Sequence, residues 1–348
     1  VRATQRRTTT QPIIKRGTHA RVCVMDRAVS AFLIHNSNAT TNENANACQI
    51  VVLGAGKDTS YFRYRNGNIM GMEGYADRGS IQQPLHVHWY DVDHTSVIQE
   101  KATLIRESNL LSSFCPQLVP TNHGFKYHHC REQQDRSLSS SSTSYDLVGH
   151  DLRDSPTELL QKLNLDRSLP TLFLQECVSM YVPITAYKNL LQSLSTCADD
   201  VSIACYEPIL GNAANTSDPF GRMMEQNLTQ AGVAQPESCL LKTRSLKDQL
   251  DKLISCGFQR AVGCDMWNGY NCILTESQRK RANQSEFLDE YEEWMLIMQH
   301  YCFVVAKASQ SCSNSSPCDL TGVHGGGNGD KTQSLLGFVS GKCLEKEK

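Results

Sequence analysis

Residues 48–59 read Cys48-Gln-Ile-Val-Val-Leu-Gly-Ala-Gly-Lys-Asp-Thr59, a short apolar run followed by a glycine-rich turn. The run is rich in β-branched residues and predicts a strand that is buried on both faces, as parallel strands are. Glycine at positions 54 and 56 lets the backbone approach a ligand closely, because no side chain stands in the way. The segment therefore predicts the first strand of an α/β sheet with a binding site at its carboxyl end.

Short apolar runs alternate with amphipathic segments along the rest of the chain. The runs that predict further strands are 86–92, 145–149, 171–174, 201–206, 258–264 and 301–306. Apolar residues at helical spacing predict helices between these strands and one before the first strand. The helical segments are 21–33, 98–105, 159–165, 187–194, 246–254 and 287–298. This alternation predicts an α/β fold with a mostly parallel sheet covered on both faces.

Both ends and two internal stretches fall outside this alternation. Residues 1–15 are polar and predict a flexible arm, because they offer too little apolar surface to offset the entropy of ordering. Residues 137–144 are a Ser-rich insert, and residues 307–348 have the low-complexity, Gly-rich composition of a disordered tail. We expect one folded domain over residues 16–306, with a segment at 208–240 on its substrate side.

The charge balance excludes several classes of partner. The 348 residues include 34 Lys and Arg and 36 Asp and Glu, for a formal net charge of −2. Such a chain has no overall attraction to nucleic acid or to an anionic membrane, so neither is expected as a partner. No run of 18 apolar residues predicts a membrane span, and no secretory signal is visible. We interpret the 15 cysteines as thiols in a reducing compartment and expect a cytoplasmic location.

The glycine turn and a carboxylate on the next strand predict the kind of cofactor. A dinucleotide-binding fingerprint would place its third glycine at position 59, where this chain has Thr59. Asp93 comes directly after the next predicted strand, 86–92, and a carboxylate there can accept hydrogen bonds from both hydroxyls of a ribose. A weak pyrophosphate site beside a good ribose site favours S-adenosylmethionine over NAD.

Two later strand ends add further carboxylates. Asp151 follows the strand at 145–149, and Glu176 follows the strand at 171–174. In an open parallel sheet, ligands bind outside the carboxyl ends of the strands. We therefore expect Gly54, Asp93, Asp151 and Glu176 to lie together around one ligand.

Histidines also cluster in two places. His86 and His88 share one face of a predicted strand, and His128, His129 and Cys130 follow further along the chain. Histidine pairs of this kind are more often packing or surface residues than metal ligands, and no Cys-x-x-Cys spacing accompanies them. No metal site is predicted.

A series of ordered motifs resembles those of the leucine carboxyl methyltransferase family. The motifs are Leu53-Gly-Ala-Gly-Lys-Asp-Thr-Ser-Tyr-Phe-Arg63, Asp91-Val-Asp93, Gly149-His-Asp-Leu-Arg-Asp154, Pro170-Thr-Leu-Phe-Leu-Gln-Glu-Cys-Val178, Tyr206-Glu-Pro208, Asp218-Pro-Phe-Gly-Arg-Met-Met224, Leu288-Asp-Glu290 and His300-Tyr-Cys302. The resemblance covers about residues 12–306. It implies a class I methyltransferase fold, Rossmann-like, with a seven-stranded, mostly parallel sheet whose last strand, 301–306, is antiparallel. It also implies S-adenosylmethionine as the methyl donor. As acceptor it implies the C-terminal leucine carboxylate of the type 2A protein phosphatase catalytic subunit.

The resemblance assigns roles in donor binding to individual residues. It implies that Gly54 lies against the methionine part of the donor and that Asp93 binds its ribose. Asp151 and Leu152 are implied to contact the adenine, and Glu176 to bind the methionine amino group.

Two more positions match the family outside the strand ends. Arg21 matches the arginine that pairs with the methionine carboxylate, and Tyr181 matches a position near the site of methyl transfer. The Tyr181 hydroxyl could equally belong to a packed core side chain with a satisfied partner. Because a C-terminal carboxylate has a pKa of about 3.3 to 3.7, the acceptor is already ionised at neutral pH and needs no general base. No residue is therefore assigned a certain catalytic role.

Two alternatives stay open from the sequence. A related carboxyl methyltransferase acts on a modified tRNA base, but such family members carry a propeller-like repeat domain, and no repeats follow residue 306. The second alternative is a binding protein that has kept the fold but lost part of the donor site. The family also has a further N-terminal segment with a basic residue and a closing helix, which we expect to be missing before Ile13. Lys57 also stands where the family usually has an apolar residue.

Overall fold

A computed structural model describes residues 11–39, 47–69, 85–128, 143–211, 218–309 and 344–347. Within these residues the strands all belong to one sheet. The strands are β1 (Ala47–Leu53), β2 (His86–Asp93), β3 (Val119–Thr121), β4 (Gly124–His128), β5 (Thr143–Gly149), β6 (Thr171–Glu176), β7 (Asp200–Pro208), β8 (Arg260–Asp265), β9 (Tyr301–Ser309) and β10 (Leu344–Glu347).

The helices connect these strands and cover the sheet. They are α1 (Pro12–Ala39), α2 (Ser60–Arg65), α3 (Thr95–Glu107), α4 (Asn109–Phe114), α5 (Pro156–Leu163), α6 (Ile184–Leu194), α7 (Pro219–Gln230), α8 (Cys239–Lys242), α9 (Leu246–Ser255), α10 (Met266–Cys272), α11 (Glu276–Ser285) and α12 (Tyr291–Met298). A 3-10 turn, Ser179–Tyr181, follows β6. None of the described helices has an apolar stretch long enough to cross a bilayer.

The strand order is β10-β8-β9-β7-β6-β1-β2-β5-β4-β3. The five central strands β7, β6, β1, β2 and β5 pair parallel to one another, whereas β9 is antiparallel to both of its neighbours. The predictions of an α/β fold and of an antiparallel strand at 301–306 are therefore confirmed. The buried, apolar composition of β1 explains why it was recognised, since it lies in the middle of the sheet.

The predicted number of seven strands is wrong, because the sheet of the described residues has ten. The three additional strands are antiparallel and lie at its two edges: β4 and β3 extend it beyond β5, and β10 pairs with β8. All three residues of β3 are exposed, and one is a proline, so this strand lacks the apolar pattern from which strands are predicted.

Several predicted boundaries also differ from the structure. Helix α1 begins at Pro12, so residues 12–15 are helical where a flexible arm was expected. Phe287 precedes α12 and is 82% exposed, so it does not belong to the predicted amphipathic helix. Of the Ser-rich insert, Thr143 and Ser144 begin β5, and residues 137–142 lie outside the described residues.

The predicted tail also contains ordered residues. β9 continues to Ser309, and residues 344–347 form β10, so these parts of 307–348 are strands. The remainder of the tail lies outside the described residues.

The core consists of two main apolar layers, one on each face of the sheet. One layer is formed where α1 packs with Trp294 and Met298 of α12 against β1 and β6. The other is formed mainly by α6 and α9, with Leu191 and Phe258 fully buried. Covering both faces leaves the carboxyl ends of β1, β2, β5 and β6 together at one edge, where the predicted site residues lie.

Candidate active site

A cavity of about 510 Å³ opens at the carboxyl ends of the central strands. Its lining residues come from the loops after β1, β2, β5 and β6, four strands that are adjacent in the sheet. They are Gly54, Asp93, His94, His150, Asp151, Leu152, Arg153, Glu176, Cys177, Val178, Tyr181 and Val182. The structure thus brings together the four strand ends that the sequence analysis combined.

The glycine turn after β1 has the backbone conformation that its two glycines allow. Gly54 has a φ of +67° and Gly56 a φ of +46°, both in the left-handed region that favours glycine. A Cβ atom on Gly54 would lie 2.4 Å from Cγ2 of Val178, so the missing side chain makes room for Val178. Gly54 therefore serves the packing of the cavity wall.

Asp93 is held in place by two backbone amides. Its Oδ2 accepts a hydrogen bond from the Gly56 N–H at 2.7 Å, and its Oδ1 accepts one from the His94 N–H at 2.6 Å. A carboxylate has about four lone-pair sites, so each oxygen can accept a further hydrogen bond. Asp93 is consequently a fixed acceptor with capacity for a diol.

Asp151 is paired with a neighbouring arginine. The Arg153 Nη2 lies 2.5 Å from Asp151 Oδ2, and the Arg153 Nε donates to Oδ1 at 2.9 Å. These hydrogen bonds lower the pKa of Asp151 to about 2, against the opposing effect of burial. Arg153 is 61% exposed, so the ion pair is weak and its rearrangement costs little. Leu152 beside it is buried and adds an apolar surface to the same end of the cavity.

Glu176 is the site carboxylate with the most perturbed acidity. Burial is the main cause that raises its pKa to about 7; the negative charge of Asp58 acts in the same direction, and Arg21 opposes the shift. Arg21 projects from α1, and its Nε lies 2.9 Å from Glu176 Oε2. The Nε–H is not aligned for a hydrogen bond, so the contact is an ion pair. The same guanidinium lies over the ring of Tyr206, 5.8 Å from its centroid.

The loop after β6 has an unusual backbone that the sequence did not reveal. Cys177 has a φ of +55°, which is rare for a residue with a side chain. The buried Glu207 of β7 holds this loop, since its Oε1 accepts the N–H groups of Val178 and Ser179 at 3.1 Å each. Gln175 also donates to Glu207 and accepts from Tyr187. This network shapes the wall formed by Cys177 and Val178; Gln175 and Glu207 lie in two of the quoted motifs, but the sequence does not show that they interact.

Tyr181 lies at the mouth of the cavity. It ends the 3-10 turn, and 59% of its surface is exposed. The alternative of a packed core tyrosine is therefore wrong. Of the seven predicted site residues, Arg21 alone does not line the cavity and reaches it through Glu176.

The histidine pair and the cysteines show no sign of a metal centre in the part of the chain that is described. The rings of His86 and His88 are 4.2 Å apart, and Nδ1 of His88 lies 2.9 Å from the Ser144 hydroxyl. No group of three or more His, Cys, Asp or Glu residues within these ranges is arranged to hold an ion. His129 and Cys130, and the side chain of His128, lie outside the described residues. The cysteines of the described ranges are free thiols.

A sheet with a parallel centre and a cavity lined by three carboxylates at the carboxyl ends of its central strands is the Rossmann-like arrangement in which nucleoside-containing cofactors bind. The model of the family described as Leucine carboxyl methyltransferase matches residues 2–195. The chain belongs to the leucine carboxyl methyltransferase family, and its cofactor is S-adenosylmethionine.

The chain is also similar to individual proteins. Leucine carboxyl methyltransferase 1 from Bos taurus is 30% identical over 297 residues, which are 84% of this chain and 76% of that protein. The tRNA wybutosine-synthesizing protein 4 from Homo sapiens is 27% identical over 87% of this chain and 40% of that protein. Geranyl diphosphate C-methyltransferase from Streptomyces coelicolor A3(2) has a TM-score of 0.38 at 11% identity, covering 76% of this chain and 74% of that chain. The assignment to the family therefore rests on sequence.

Proposed function

We propose that this protein transfers a methyl group from S-adenosylmethionine to the α-carboxylate of a C-terminal leucine. We further propose that the acceptor is the catalytic subunit of a type 2A protein phosphatase. The observation that carries the proposal is membership of the leucine carboxyl methyltransferase family, combined with a cavity whose charged groups suit the donor.

The donor matches the cavity at both of its polar ends. The ribose hydroxyls would donate to the Asp93 carboxylate, which the Gly56 and His94 amides hold in place. The methionine part is a zwitterion, and Arg21 with Glu176 presents the two complementary charges at the other end. The cavity volume of about 510 Å³ lies within the usual range of small-molecule sites. These features support Arg21, Asp93 and Glu176 as donor-binding residues.

Methyl transfer requires the protein to orient the acceptor carboxylate and to remove its water. Bound S-adenosylmethionine supplies an electrophilic methyl group on a sulfonium. The acceptor carboxylate is already a nucleophile at neutral pH, so the protein need not remove a proton. Holding the carboxylate in line and stripping its water contribute up to roughly 7 to 11 kcal/mol of the barrier reduction. Tyr181 at the cavity mouth is suited to orienting the incoming carboxylate.

The segment expected on the substrate side supports an acceptor that is part of a protein. Met224 and Leu228 of helix α7 pack against a small buried cluster that includes Met180, which lies in the 3-10 turn beside Tyr181. The start of α7 is fixed because the Asp218 carboxylate accepts from the Gly221 N–H at 2.7 Å and contacts Nε2 of His300 at 3.0 Å. α7 is thus fixed in position next to the cavity mouth, and the C-terminal residues of an acceptor protein can pack against it.

Methyl transfer tests the proposal directly. Purified protein is incubated with S-adenosylmethionine carrying a radiolabelled methyl group and with the phosphatase catalytic subunit. We expect label on the phosphatase that is lost on mild alkaline hydrolysis, as a methyl ester is, and no label when the terminal leucine is deleted. Label that survives the deletion would contradict the proposed acceptor.

The match to tRNA wybutosine-synthesizing protein 4 provides the competing substrate. A parallel reaction with bulk tRNA carrying the unmethylated carboxyl base distinguishes the two acceptors. Label on tRNA and none on the phosphatase would replace the proposed function with the tRNA reaction. Donor binding without any transfer would favour the non-catalytic binding protein.

A further inference from the structure

The cavity wall contains a histidine with an unpaired ring nitrogen. His150 follows β5, lines the cavity and is only 3% exposed. Its backbone N–H donates to the Asp93 carbonyl at 2.8 Å, which fixes the backbone of His150 beside the end of β2. Its Nε2 is buried and has no hydrogen-bond partner in the structure.

Lys162 of α5 determines which ring nitrogen of His150 carries the proton. The ammonium has three N–H donors, and three acceptors surround it: Glu158 Oε1 at 2.8 Å, the Gly149 carbonyl at 3.2 Å and His150 Nδ1 at 3.3 Å. Because an ammonium cannot accept a hydrogen bond, Nδ1 must be the acceptor and Nε2 must hold the proton of the neutral ring. Burial and then Lys162 also lower the pKa of His150, which keeps the ring neutral.

The tautomer determines the charge and the hydrogen-bonding role of the unpaired Nε2–H. It is a neutral, buried donor on a residue that lines the cavity together with Asp93, Asp151 and Leu152. A buried donor without a partner is unfavourable, and a ligand removes that cost if it brings an acceptor. The nucleoside of the donor has only such uncharged acceptors, namely adenine ring nitrogens and ribose oxygens.

We infer that His150 is a donor-binding residue whose Nε2–H donates a hydrogen bond to an acceptor atom of the nucleoside. This inference rests on the proposed binding of S-adenosylmethionine in the cavity and adds a contact to it. Lys162 is then a positioning residue, since it touches the imidazole and fixes its tautomer. Nothing in the sequence motif Gly149-His-Asp-Leu-Arg-Asp154 revealed this role, because it depends on a lysine from the following helix.

Two variants of His150 separate the hydrogen bond from the shape of the ring. His150→Phe keeps a flat ring but removes the donor, whereas His150→Gln keeps an N–H donor at a similar distance from the backbone. We expect calorimetry with S-adenosylhomocysteine to show about a three- to tenfold weaker Kd for the Phe variant, with the Gln variant closer to wild type. His123→Phe is the matched control, because that nearby histidine is exposed and its carbonyl, not its side chain, bonds to Gly149. Analogues that lack N3 or N7 of adenine would lose the difference between wild type and the Phe variant if that nitrogen is the acceptor.

Nitrogen NMR of histidine-labelled protein reads the tautomer itself. We expect a neutral Nε2–H ring for His150, assigned by its absence in His150→Phe, with an Nε2 shift that changes on addition of S-adenosylhomocysteine. Equal affinities for wild type and the Phe variant, or an Nε2 signal unchanged by a ligand that binds, would overturn the inference while leaving donor binding intact. Absence of S-adenosylhomocysteine binding to wild type would overturn the donor site and the inference together.

Discussion

The guanidinium of Arg21 and the carboxylate of Glu176 form an ion pair with 2.9 Å between Nε and Oε2, joining the first helix of the chain to the end of β6. The side chain of Arg21 is 36% exposed and that of Glu176 is 24% exposed, so water screens the ion pair only in part. A methionine zwitterion offers an ammonium to Glu176 and a carboxylate to Arg21. The pair is thus arranged to exchange its internal contact for two contacts with the donor.

Removing either charge is expected to weaken donor binding. We expect Arg21→Gln and Glu176→Gln each to weaken the Kd for S-adenosylhomocysteine by about 10- to 100-fold, because each loses a charged hydrogen bond. Calorimetry measures the change. 5′-Methylthioadenosine, which lacks the amino acid part, is the control ligand and should bind both variants like wild type. Equal losses for both ligands would mean that the pair supports the cavity wall and does not contact the amino acid.

Donor binding is expected to depend on pH through Glu176. Because burial raises the pKa of this carboxyl to about 7, a fraction of the molecules carry a proton there at neutral pH. Binding an ammonium favours the ionised form, so affinity should rise from pH 6 to pH 8 and protons should be released at pH 6.5. Calorimetry in two buffers of different ionisation enthalpy measures that release. In Glu176→Gln both the pH dependence and the proton release should disappear, and their persistence would assign them to another group.

Whether a strand can be predicted from the sequence depends on its place in the sheet. Strand β1 was predicted because a strand in the middle of a parallel sheet is buried on both faces and is therefore continuously apolar. The edge strand β3 was missed because it is exposed and carries no such pattern. Helix α1 was predicted too short, since Arg16 and the residues near it are fixed by contacts to α11 that have no local signal.

The candidate site also has residues that the sequence predicts and interactions that it does not. Asp93 and Glu176 could be found because strand ends place them, and strand ends are readable from the sequence. The conformation of Cys177 depends on Glu207 of strand β7, and the tautomer of His150 depends on Lys162 of helix α5. Such roles arise from pairs of distant residues and are visible only in three dimensions.

Asp93 is expected to be essential for binding the nucleoside. Asp93→Ala removes the acceptor for the ribose and also leaves the amides of Gly56 and His94 without their partner. We expect donor binding to fall by more than about 100-fold, and 5′-methylthioadenosine should lose affinity as well, unlike with the Arg21 and Glu176 variants. Asp93→Asn keeps one acceptor oxygen and should lose less. Calorimetry with wild-type affinity for the Ala variant would remove Asp93 from the site.

We expect Tyr181 to contribute to the reaction with the acceptor and not to the stability of the fold. Because it is 59% exposed, Tyr181→Ala should change the free energy of unfolding by no more than about 0.5 kcal/mol. We expect kcat/KM for a phosphatase acceptor to fall, with little change in the Kd for S-adenosylhomocysteine. Phe287→Ala is the control, since that side chain is 82% exposed and lies outside the cavity lining. A similar fall in both variants would indicate a general surface effect.

The two glycines of the turn after β1 provide a matched test of how the cavity wall is built. Alanine at either position must adopt a positive φ, which costs about 1–2 kcal/mol. At Gly56 nothing lies within 4 Å of the added Cβ, so Gly56→Ala should show this backbone cost alone. At Gly54 the Cβ would also lie 2.4 Å from Val178 Cγ2, so Gly54→Ala should destabilise by about 2–4 kcal/mol and push Val178 into the cavity. Urea unfolding measures the free energy of unfolding, and titration with S-adenosylhomocysteine measures donor affinity.

A double variant separates the clash from the backbone strain. Combining Gly54→Ala with Val178→Ala removes the clash and should restore part of the donor affinity. A double variant that binds no better than Gly54→Ala would show that strain in the turn, and not Val178, decides the shape of the wall.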